Sequence, residues 1–355
     1  MDNSTKVLPD PPQRVLAIRL SAMGDVLHCL PALEALQELW PETTIDWVTE
    51  SLSSPLLEGH PRLGRVVKLS RKVWRKQLRN PLNLPRVVGE AWGFIRELRQ
   101  ERYDLIVDFQ SNMRSVLVAA LARYRRRICH HRTEVKDGNQ MFRAIRPARP
   151  SGLVHRVEKN LHLVRHLGWS GQRPDPQTPT YADEAADLPP LPADAIYLHP
   201  FVSAYGRFKE WPEQHYSDLA RRLAADGHAV VVMWAPEDLA AAERIVAGAA
   251  DCAVLAPPTP SLRHVAAMLT QAKLLVAADT GILHLGTALN RPVVALYGPK
   301  DPQRYGPWTP QSRTLRGDVA CAPCTLRTCE HAICMQVITP ASVERAIQEL
   351  IPATS

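Results

Sequence analysis

The sequence predicts an α/β protein built from two doubly wound units. Continuous apolar runs alternate with amphipathic segments, as expected where parallel strands are covered by helices on both faces. The alternation stops at a proline-rich, acidic stretch, residues 183–194, and then begins again. A chain of 355 residues accommodates two such units comfortably. We therefore predict domains at 14–182 and 195–355, joined by a linker at 183–194.

The individual elements follow from the same patterns. Strands are predicted from apolar runs at residues 15–20, 44–49, 105–109, 196–199, 229–234, 274–278 and 293–297. Helices are predicted from apolar positions three or four residues apart at 26–39, 85–100, 114–123, 213–225, 237–247, 262–271 and 282–289.

The charge balance favours an anionic partner. The chain has 43 Lys and Arg against 36 Asp and Glu, a net charge of +7. A phosphorylated substrate, a nucleic acid or an acidic membrane surface would suit this excess, and a merely solvated basic surface is the alternative. Aromatic residues are only 6% and no RNA- or DNA-binding motif is evident. Nucleic acid is therefore the weakest of these partners.

The composition also bears on location. Residues 1–12 are polar and lack the apolar core of a signal peptide, and no apolar run approaches the ~20 residues of a membrane span. We expect a cytoplasmic protein that touches a membrane only from outside. The seven cysteines are an odd number, and cytosolic thiols are normally reduced, so no disulfide framework is predicted.

The stretch RLSAMGDVLHCLP, residues 19–31, raises the first functional question. Here an apolar strand runs directly into Gly24 and Asp25, and a helix follows. Asp25 is explained either as an N-cap or first-turn acid, worth about 1 kcal/mol, or as a general base at the carboxyl end of a strand. Gly24 would let a ligand approach the backbone closely. Both explanations of Asp25 stay open on the residues alone.

A second strand-to-helix junction favours a diphosphate. The strand before Asp279 and Thr280 ends where a helix begins at Gly281, and free backbone N–H groups at a helix start bind anions. His284 lies one turn further on, either as a ligand contact or as a half-buried helix histidine. The chain has neither GxGxxG nor GxxxxGK[ST], so a dinucleotide fingerprint and a P-loop are both unsupported.

Two further loops contain candidate ligand-binding residues. Lys209 lies beside a helix start and is suited to a phosphate, and the alternative is a solvated loop cation. Glu237 and Asp238 follow another strand, where an acid can bind ribose hydroxyls or simply occupy the first helical turn.

Four motifs in this order and spacing resemble the lipopolysaccharide heptosyltransferases of glycosyltransferase family 9. They are MGDVLHCLPAL (23–33), KEWPEQHY (209–216), ADTGILHLGTAL (278–289) and ALYGPKDP (295–302). The resemblance covers roughly residues 14–350. IDWVTE (45–50), RKVWRK (71–76) and HRVEKNLHL (155–163) look closer to heptosyltransferase I than to heptosyltransferase II.

The resemblance implies a GT-B fold, in which two Rossmann-like domains face each other across a cleft. It also implies an inverting glycosyltransferase that moves heptose from ADP-heptose to the Kdo/inner core of lipopolysaccharide. No essential metal is expected. The enzyme would act at the cytoplasmic face of the inner membrane, as a peripheral protein. The first domain would bind the acceptor and the second the nucleotide sugar, with the last helix packing back on the first domain.

The resemblance further implies roles for the candidate residues. Asp25 would be the general base, Lys209 would hold donor phosphate, and Glu237, or else Asp238, would hold the ribose. The donor sugar and diphosphate would contact Asp279, Thr280, Gly281 and His284, with Gly24 also on the donor side.

The basic run at 70–80 has a candidate partner in the anionic, lipid-linked acceptor. Arg71, Lys72, Arg75 and Lys76 would grip it, with Trp74 packing beneath and with help from Arg132 and Lys136; a solvated basic loop is the alternative. Ser111 stands where the family often has glycine, which is a departure from the pattern in the acceptor-side loop.

A cysteine cluster is a second departure. Cys321, Cys324, Cys329 and Cys334 follow the spacing C-x2-C-x4-C-x4-C, which fits one structural Zn²⁺. Paired thiols or a compact turn with buried cysteines are the alternatives. The cluster lies outside the motifs assigned to catalysis.

Three rival functions remain at this point. One is another family 9 transfer with a different sugar or acceptor. The second is a nucleotide-sugar epimerase of the GT-B type, which would need further acids and bases near the sugar. The third is a sugar-nucleotide-binding protein without turnover, which Asp25 argues against.

Overall fold

The computed structural model describes residues 8, 10–134, 141–324, 326 and 328–351. The chain divides into two compact units, one up to Thr180 and the other from Tyr181 onward. No helix in the described part of the chain is long and apolar enough to cross a membrane.

The first unit alternates strands with helices. Its elements are β1 (Arg14–Ile18), α1 (Met23–Leu27), α2 (Leu30–Leu39), β2 (Thr44–Glu50), β3 (Val66–Leu69), α3 (Arg71–Gln77), α4 (Leu84–Leu98), β4 (Arg102–Asp108), α5 (Met113–Leu121), β5 (Arg123–Cys129) and α6 (Arg156–His166).

These five strands form one parallel sheet in the order β3-β2-β1-β4-β5. β1 is central because its sequence is wholly apolar after Arg14, and Val15 to Ile18 are completely buried. The core on one face contains Leu16, Ile18 and Val48, with Phe94 and Leu98 of α4 packed over them.

The second unit repeats the alternation. Its elements are α7 (Ala182–Ala186), β6 (Ile196–His199), α8 (Glu213–Ala225), β7 (Val230–Val232), α9 (Leu239–Gly248), β8 (Val254–Leu255), α10 (Leu262–Thr270), β9 (Leu274–Ala278), α11 (Gly281–Ala288), β10 (Val293–Tyr297), α12 (Pro302–Tyr305), β11 (Ser312–Arg316), α13 (Ile333–Gln336) and α14 (Pro340–Leu350).

Its six parallel strands lie in the order β11-β10-β9-β6-β7-β8. Read from the other edge, this is the strand order 3-2-1-4-5-6 of a Rossmann fold. Gly286 lets α11 lie close against β9, because a Cβ at this position would stand 2.7 Å from Cδ2 of Leu275. The last helix, α14, packs against α8, β10 and β11.

The predicted strands are all present, but several elements were missed. The predicted helix at 26–39 is two helices, α1 and α2, with a break at His28 and Cys29. The strands β3, β5 and β11 lack continuous apolar runs, and β8 is only two residues long. The basic run at 70–80 contains the helix α3. The predicted linker begins within α7, which packs against α10 and pairs Glu184 with Arg263.

Candidate active site

The candidate residues of each unit follow strands at the point where the strand order reverses. In the first unit the reversal lies between β1 and β4, and in the second it lies between β6 and β9. Loops that leave the carboxyl ends of such strand pairs diverge and leave a crevice, where ligands of open α/β sheets bind. Asp25 follows β1, whereas Lys209 and Asp279 follow β6 and β9.

Asp25 lies in the first turn of α1 and makes no capping bond there. The N-cap of α1 is Ala22, which has no side-chain cap hydrogen bond. Instead, one carboxylate oxygen of Asp25 forms an ion pair with Arg19 Nη2 at 2.5 Å. The Arg19 side chain is nearly buried and also donates from Nη1 to the carbonyl of Phe109 at 2.8 Å. About a third of the Asp25 side chain is exposed, so it remains accessible to a ligand.

A cavity of about 150 Å³ opens beside Asp25. Arg19, Arg156 and Lys159 bring three positive charges to its wall, against the carboxylates of Asp25 and Glu134. Lys159 pairs with Glu134 at 3.3 Å. The wall therefore carries a net positive charge, which suits an anionic group that lies next to Asp25. Its other members are Phe109, Gln110, Ser111, His130 and Asn160.

Burial controls the protonation of two groups in this wall. Burial, and then the positive charges of Lys159, Arg19 and Arg156, hold the pKa of His130 well below its usual value. His130 is therefore neutral at pH 7. Burial also lowers the pKa of Lys159, although the Glu134 carboxylate opposes this shift.

Ser111 shapes the loop after β4. Its backbone has φ of +53°, in the left-handed region that glycine adopts most easily. Its Oγ donates to the Asp108 carbonyl at 2.7 Å and accepts from the His130 backbone N–H at 3.0 Å, while its own N–H donates to Asp108 Oδ1 at 2.7 Å. These hydrogen bonds offset the cost of a side chain in this backbone conformation.

Two substitutions at Ser111 separate these effects. Ser111→Ala loses both hydroxyl hydrogen bonds and keeps a Cβ in the left-handed region, so we expect it to destabilise the protein by roughly 1–3 kcal/mol. Ser111→Gly loses the same bonds but relieves the backbone, so it should cost about 1 kcal/mol less. Urea unfolding of both variants checks this order, and Ala as the milder change would contradict it.

In the second unit, Asp279 is the centre of a polar cluster. Lys209 Nζ donates to Asp279 Oδ2 at 2.7 Å and to the Asp279 carbonyl at 3.2 Å. On the other carboxylate oxygen, His284 Nε2 lies at 3.6 Å and the Tyr297 hydroxyl at 3.5 Å. The structure thus brings Lys209 of one sequence motif together with Asp279 and His284 of another.

The cluster keeps Asp279 ionised. Burial alone would raise the pKa of Asp279, but hydrogen bonding from His284 and the charge of Lys209 overcome this effect and lower the pKa to about 2. A carboxylate is consequently held in place beside the helix start at Gly281. Thr280 caps α11 by accepting from the Leu283 N–H at 3.4 Å.

Glu237 and Asp238 line a second cavity, of about 260 Å³, in the same unit. They lie in the short 3-10 turn Pro236–Asp238 after β7. Burial, and then the Glu237 charge, raises the pKa of Asp238. Arg207 and Arg244 also line this cavity, so the two acids face both polar and cationic neighbours.

The basic run forms the surface of α3. Arg71 and Lys72 pair with the buried Glu50 at 2.9 and 3.6 Å. Arg75 and Lys76 are exposed. Trp74 packs edge-on against Phe94, and its Nε1 donates to Glu90 at 2.9 Å.

Arg132 and Lys136 are also predicted to help bind the anionic acceptor. Arg132 is exposed on the 3-10 turn Arg132–Glu134. Lys136 lies outside the described residues.

The structure does not support a zinc site at the cysteine cluster. All seven cysteines lie in the described part of the chain, and all are free thiols. Among the described residues, no three or more His, Cys, Asp or Glu side chains are arranged to hold a metal ion. Cys334 is buried, Cys324 is partly buried, and Cys321 and Cys329 are exposed. Burial, and then the neighbouring thiols, raises the pKa of Cys334 and favours its protonated form.

Sequence reasoning missed the residues that surround Asp25. Arg19 could have been identified from the sequence, because a charged residue that directly follows a buried strand is unusual unless it has an ion-pair partner. Arg156 and Lys159 are one helical turn apart at the start of α6, far from Asp25 in sequence. Only the fold brings them to the same cavity.

Comparison with known proteins places the chain in a family. The model of glycosyltransferase family 9 (heptosyltransferase) matches residues 91–333. Lipopolysaccharide heptosyltransferase 1 of Escherichia coli K12 is 34% identical over 306 residues, 82% of this chain and 90% of the relative. The enzyme of the same name from Pseudomonas aeruginosa PAO1 is 31% identical over 323 residues, 90% of this chain and 88% of the relative.

Solved structures agree with the sequence relatives. E. coli heptosyltransferase WaaC with ADP matches with a TM-score of 0.79 and 27% identity, over 95% of this chain and 99% of that one. The same protein with ADP-2-deoxy-2-fluoro heptose matches with a TM-score of 0.76, at the same identity and coverage. The two units are thus the Rossmann-like domains of a GT-B enzyme, which confirms the predicted fold class.

The chain belongs to glycosyltransferase family 9. Its greater likeness to heptosyltransferase I than to heptosyltransferase II is also confirmed, because lipopolysaccharide heptosyltransferase 2 of E. coli K12 is only 26% identical over 323 residues, 85% of this chain and 88% of the relative.

Proposed function

We propose that this chain is an inverting heptosyltransferase that moves heptose from ADP-heptose to the Kdo/inner core of lipopolysaccharide. The observation that carries the proposal is the Asp25 carboxylate at the edge of a cationic cavity. This arrangement supports the assignment of Asp25 as a base beside a site suited to an anionic acceptor. The relatives named as heptosyltransferases supply the sugar and the acceptor class.

The first unit would hold the acceptor. Arg156 and Lys159 would attract a carboxylate of the acceptor sugar, and Asp25 would receive the proton of the attacking hydroxyl. The ion pair with Arg19 fixes the orientation of the Asp25 carboxylate. The exposed cations Arg75 and Lys76, with Arg71 and Lys72, would contact more distant anionic groups of the acceptor.

The second unit would hold the donor. The start of α11 at Gly281 and the Lys209 cation would bind the diphosphate, while Asp279, Thr280 and His284 would position the donor sugar. Gly24 of the first unit would let the donor approach the backbone. As the bond between the anomeric carbon and ADP breaks, the leaving diphosphate gains negative charge, which Lys209 and the helix start would stabilise.

A single displacement accounts for the chemistry. The acceptor oxygen forms the new bond to the anomeric carbon, the old bond to ADP breaks, and the hydroxyl proton passes to Asp25. No covalent enzyme intermediate is needed, so the configuration at the anomeric carbon inverts. We propose that the enzyme works as a peripheral protein at the cytoplasmic face of the inner membrane.

The ribose would lie against Glu237 or Asp238. Ribose hydroxyls donate to a carboxylate, so Glu237→Gln should weaken ADP binding about tenfold if Glu237 holds them, since a hydrogen bond to a charged group is worth ~1.5 kcal/mol or more. Asp238→Asn is the matched variant from the same turn. Calorimetric titration with ADP distinguishes them. A larger loss in Asp238→Asn would transfer the role, and two unchanged affinities would remove the ribose from this cavity.

The test of the function is acceptor-dependent ADP release, with the product weighed by mass spectrometry. The proposal requires ADP release only when ADP-heptose and a Kdo-lipid A acceptor are both present, with one heptose added to the acceptor. Conversion of the donor without acceptor would favour an epimerase. ADP binding without any turnover would favour a binding protein or another donor and acceptor pair.

A further inference from the structure

The helix pair α3 and α4 presents an apolar surface that the fold of the first unit does not cover. On α4, Val87, Phe94 and Leu98 are buried in the core. A second apolar stripe on the same helix, formed by the residues Leu84, Val88 and Trp92, is 53%, 58% and 67% exposed. These three residues are spaced by four, so they lie along one face of the helix.

The stripe continues into the turn between the helices. Leu82 is 86% exposed in the turn Pro81–Asn83, and Leu78 at the end of α3 is 45% exposed. We call the five residues Leu78, Leu82, Leu84, Val88 and Trp92 the apolar ridge. Large contiguous apolar surfaces of this kind mark interaction sites in soluble proteins.

Positive charge surrounds the apolar ridge. Residues 71–99 contain eight Lys and Arg and two Glu, a net charge of +6 out of +7 for the whole chain. Glu90 already binds Arg86 and Trp74, each at 2.9 Å. Within the described residues, Arg75, Lys76 and Arg79 have no ion-pair partner and are exposed. An apolar surface with this fringe of cations complements an anionic lipid bilayer.

We infer that the apolar ridge inserts into the surface of an anionic bilayer while the cations of α3 hold the lipid headgroups. Trp92 suits this position, since its indole has an apolar body and a polar N–H and favours the boundary between headgroups and acyl chains. The contact of Trp74 with Phe94 and Glu90 ties α3 to α4, so that the ridge and the cations act as one surface. The inference rests on the proposed function only for the lipid nature of the acceptor.

The test is sedimentation of the full chain with vesicles that contain neither donor nor acceptor. We expect binding to vesicles of phosphatidylethanolamine and phosphatidylglycerol, weakening with salt, and little binding to phosphatidylcholine alone. The double variant Val88→Ser/Trp92→Ser should bind at least about tenfold more weakly. Leu117→Ser, at a residue that is 60% exposed on α5, is the matched control and should bind as the parent does.

A second measurement locates the insertion. Lipids brominated on their acyl chains should quench part of the tryptophan emission of the parent, and Trp92→Leu should lose that part while keeping its vesicle binding. Equal thermal unfolding midpoints show that the variants remain folded, as expected for exposed positions.

Three results would overturn the inference: no binding to anionic vesicles, binding that the double variant leaves unchanged, or self-association of the parent that the double variant abolishes in place of vesicle binding. Because the vesicles hold no substrate, this failure would leave the proposed transfer reaction intact. Conversely, absence of turnover by the parent protein with a soluble acceptor fragment would contradict the proposed transfer reaction and leave the membrane inference intact.

Discussion

Replacement of Asp25 by asparagine is expected to lower turnover by about 10²–10⁴-fold, the contribution typical of a positioned general base. The amide cannot accept the proton of the attacking hydroxyl, but it can still accept a hydrogen bond from Arg19, so the loop after β1 should keep its shape. Donor affinity should change by no more than a few-fold, because the side chains proposed to bind the diphosphate and the ribose lie in the second unit. Initial rates and ADP titrations on the same preparations measure both quantities.

Asp226→Asn is a suitable control, since Asp226 lies at the surface and its side chain accepts a hydrogen bond from Gln348 at 3.1 Å. It should retain full turnover and donor affinity. Loss of donor affinity together with turnover in Asp25→Asn would assign Asp25 a structural role in place of a base.

Replacement of Lys209 by methionine is expected to weaken donor binding by about 2 kcal/mol, which is roughly a 30-fold increase in Kd. Methionine keeps much of the apolar stem but removes the charge that the diphosphate would contact. It also leaves Asp279 without its 2.7 Å partner, so the anionic ligand would meet an uncompensated carboxylate. Calorimetric titration with ADP measures the change.

Lys68→Met provides the matched control. Lys68 forms a 2.8 Å pair with Glu58 in the first unit, so this variant removes a lysine–carboxylate pair of similar length away from the donor site. It should leave ADP binding unchanged. An unchanged ADP affinity in Lys209→Met would remove Lys209 from the donor site.

The same substitution should alter how stability depends on pH. The folded-state pKa of Asp279 is about 2, below its ordinary 3.8, so its contribution to stability is present above about pH 4 and is lost as the pH falls toward 2. Lys209→Met removes one of the groups that lower this pKa. The loss of stability between these pH values should therefore be smaller in the variant than in the parent.

The sequence predicts the central strands of each sheet well because these strands are continuous runs of apolar residues. β1, β9 and β10 are predicted from continuous apolar runs, and the polar residues that follow β1 and β9 lie at the strand-order reversals through general rules of the fold. The clustering of Lys209 with Asp279 and His284 could thus be anticipated from two separate motifs.

The edges of the sheets and the surroundings of Asp25 could not be predicted in this way. β5 reads RYRRRIC, with arginines on its exposed face, so its pattern is that of an edge strand and not of a buried run. Lys159 of α6 lines the cavity beside Asp25 although it lies more than a hundred residues away in sequence. No local sequence pattern predicts that contact. The zinc site stays a prediction for a related reason: cysteine spacing does not fix whether the side chains reach the geometry that a metal ion requires.

The central claim is direct transfer of heptose to an acceptor hydroxyl that Asp25 deprotonates. Its most direct test is the NMR spectrum of the product made from ADP-heptose and a Kdo-lipid A acceptor. We predict a new glycosidic bond whose anomeric configuration is opposite to that of the donor. A product with the donor's configuration, or no heptose on the acceptor, would contradict the account.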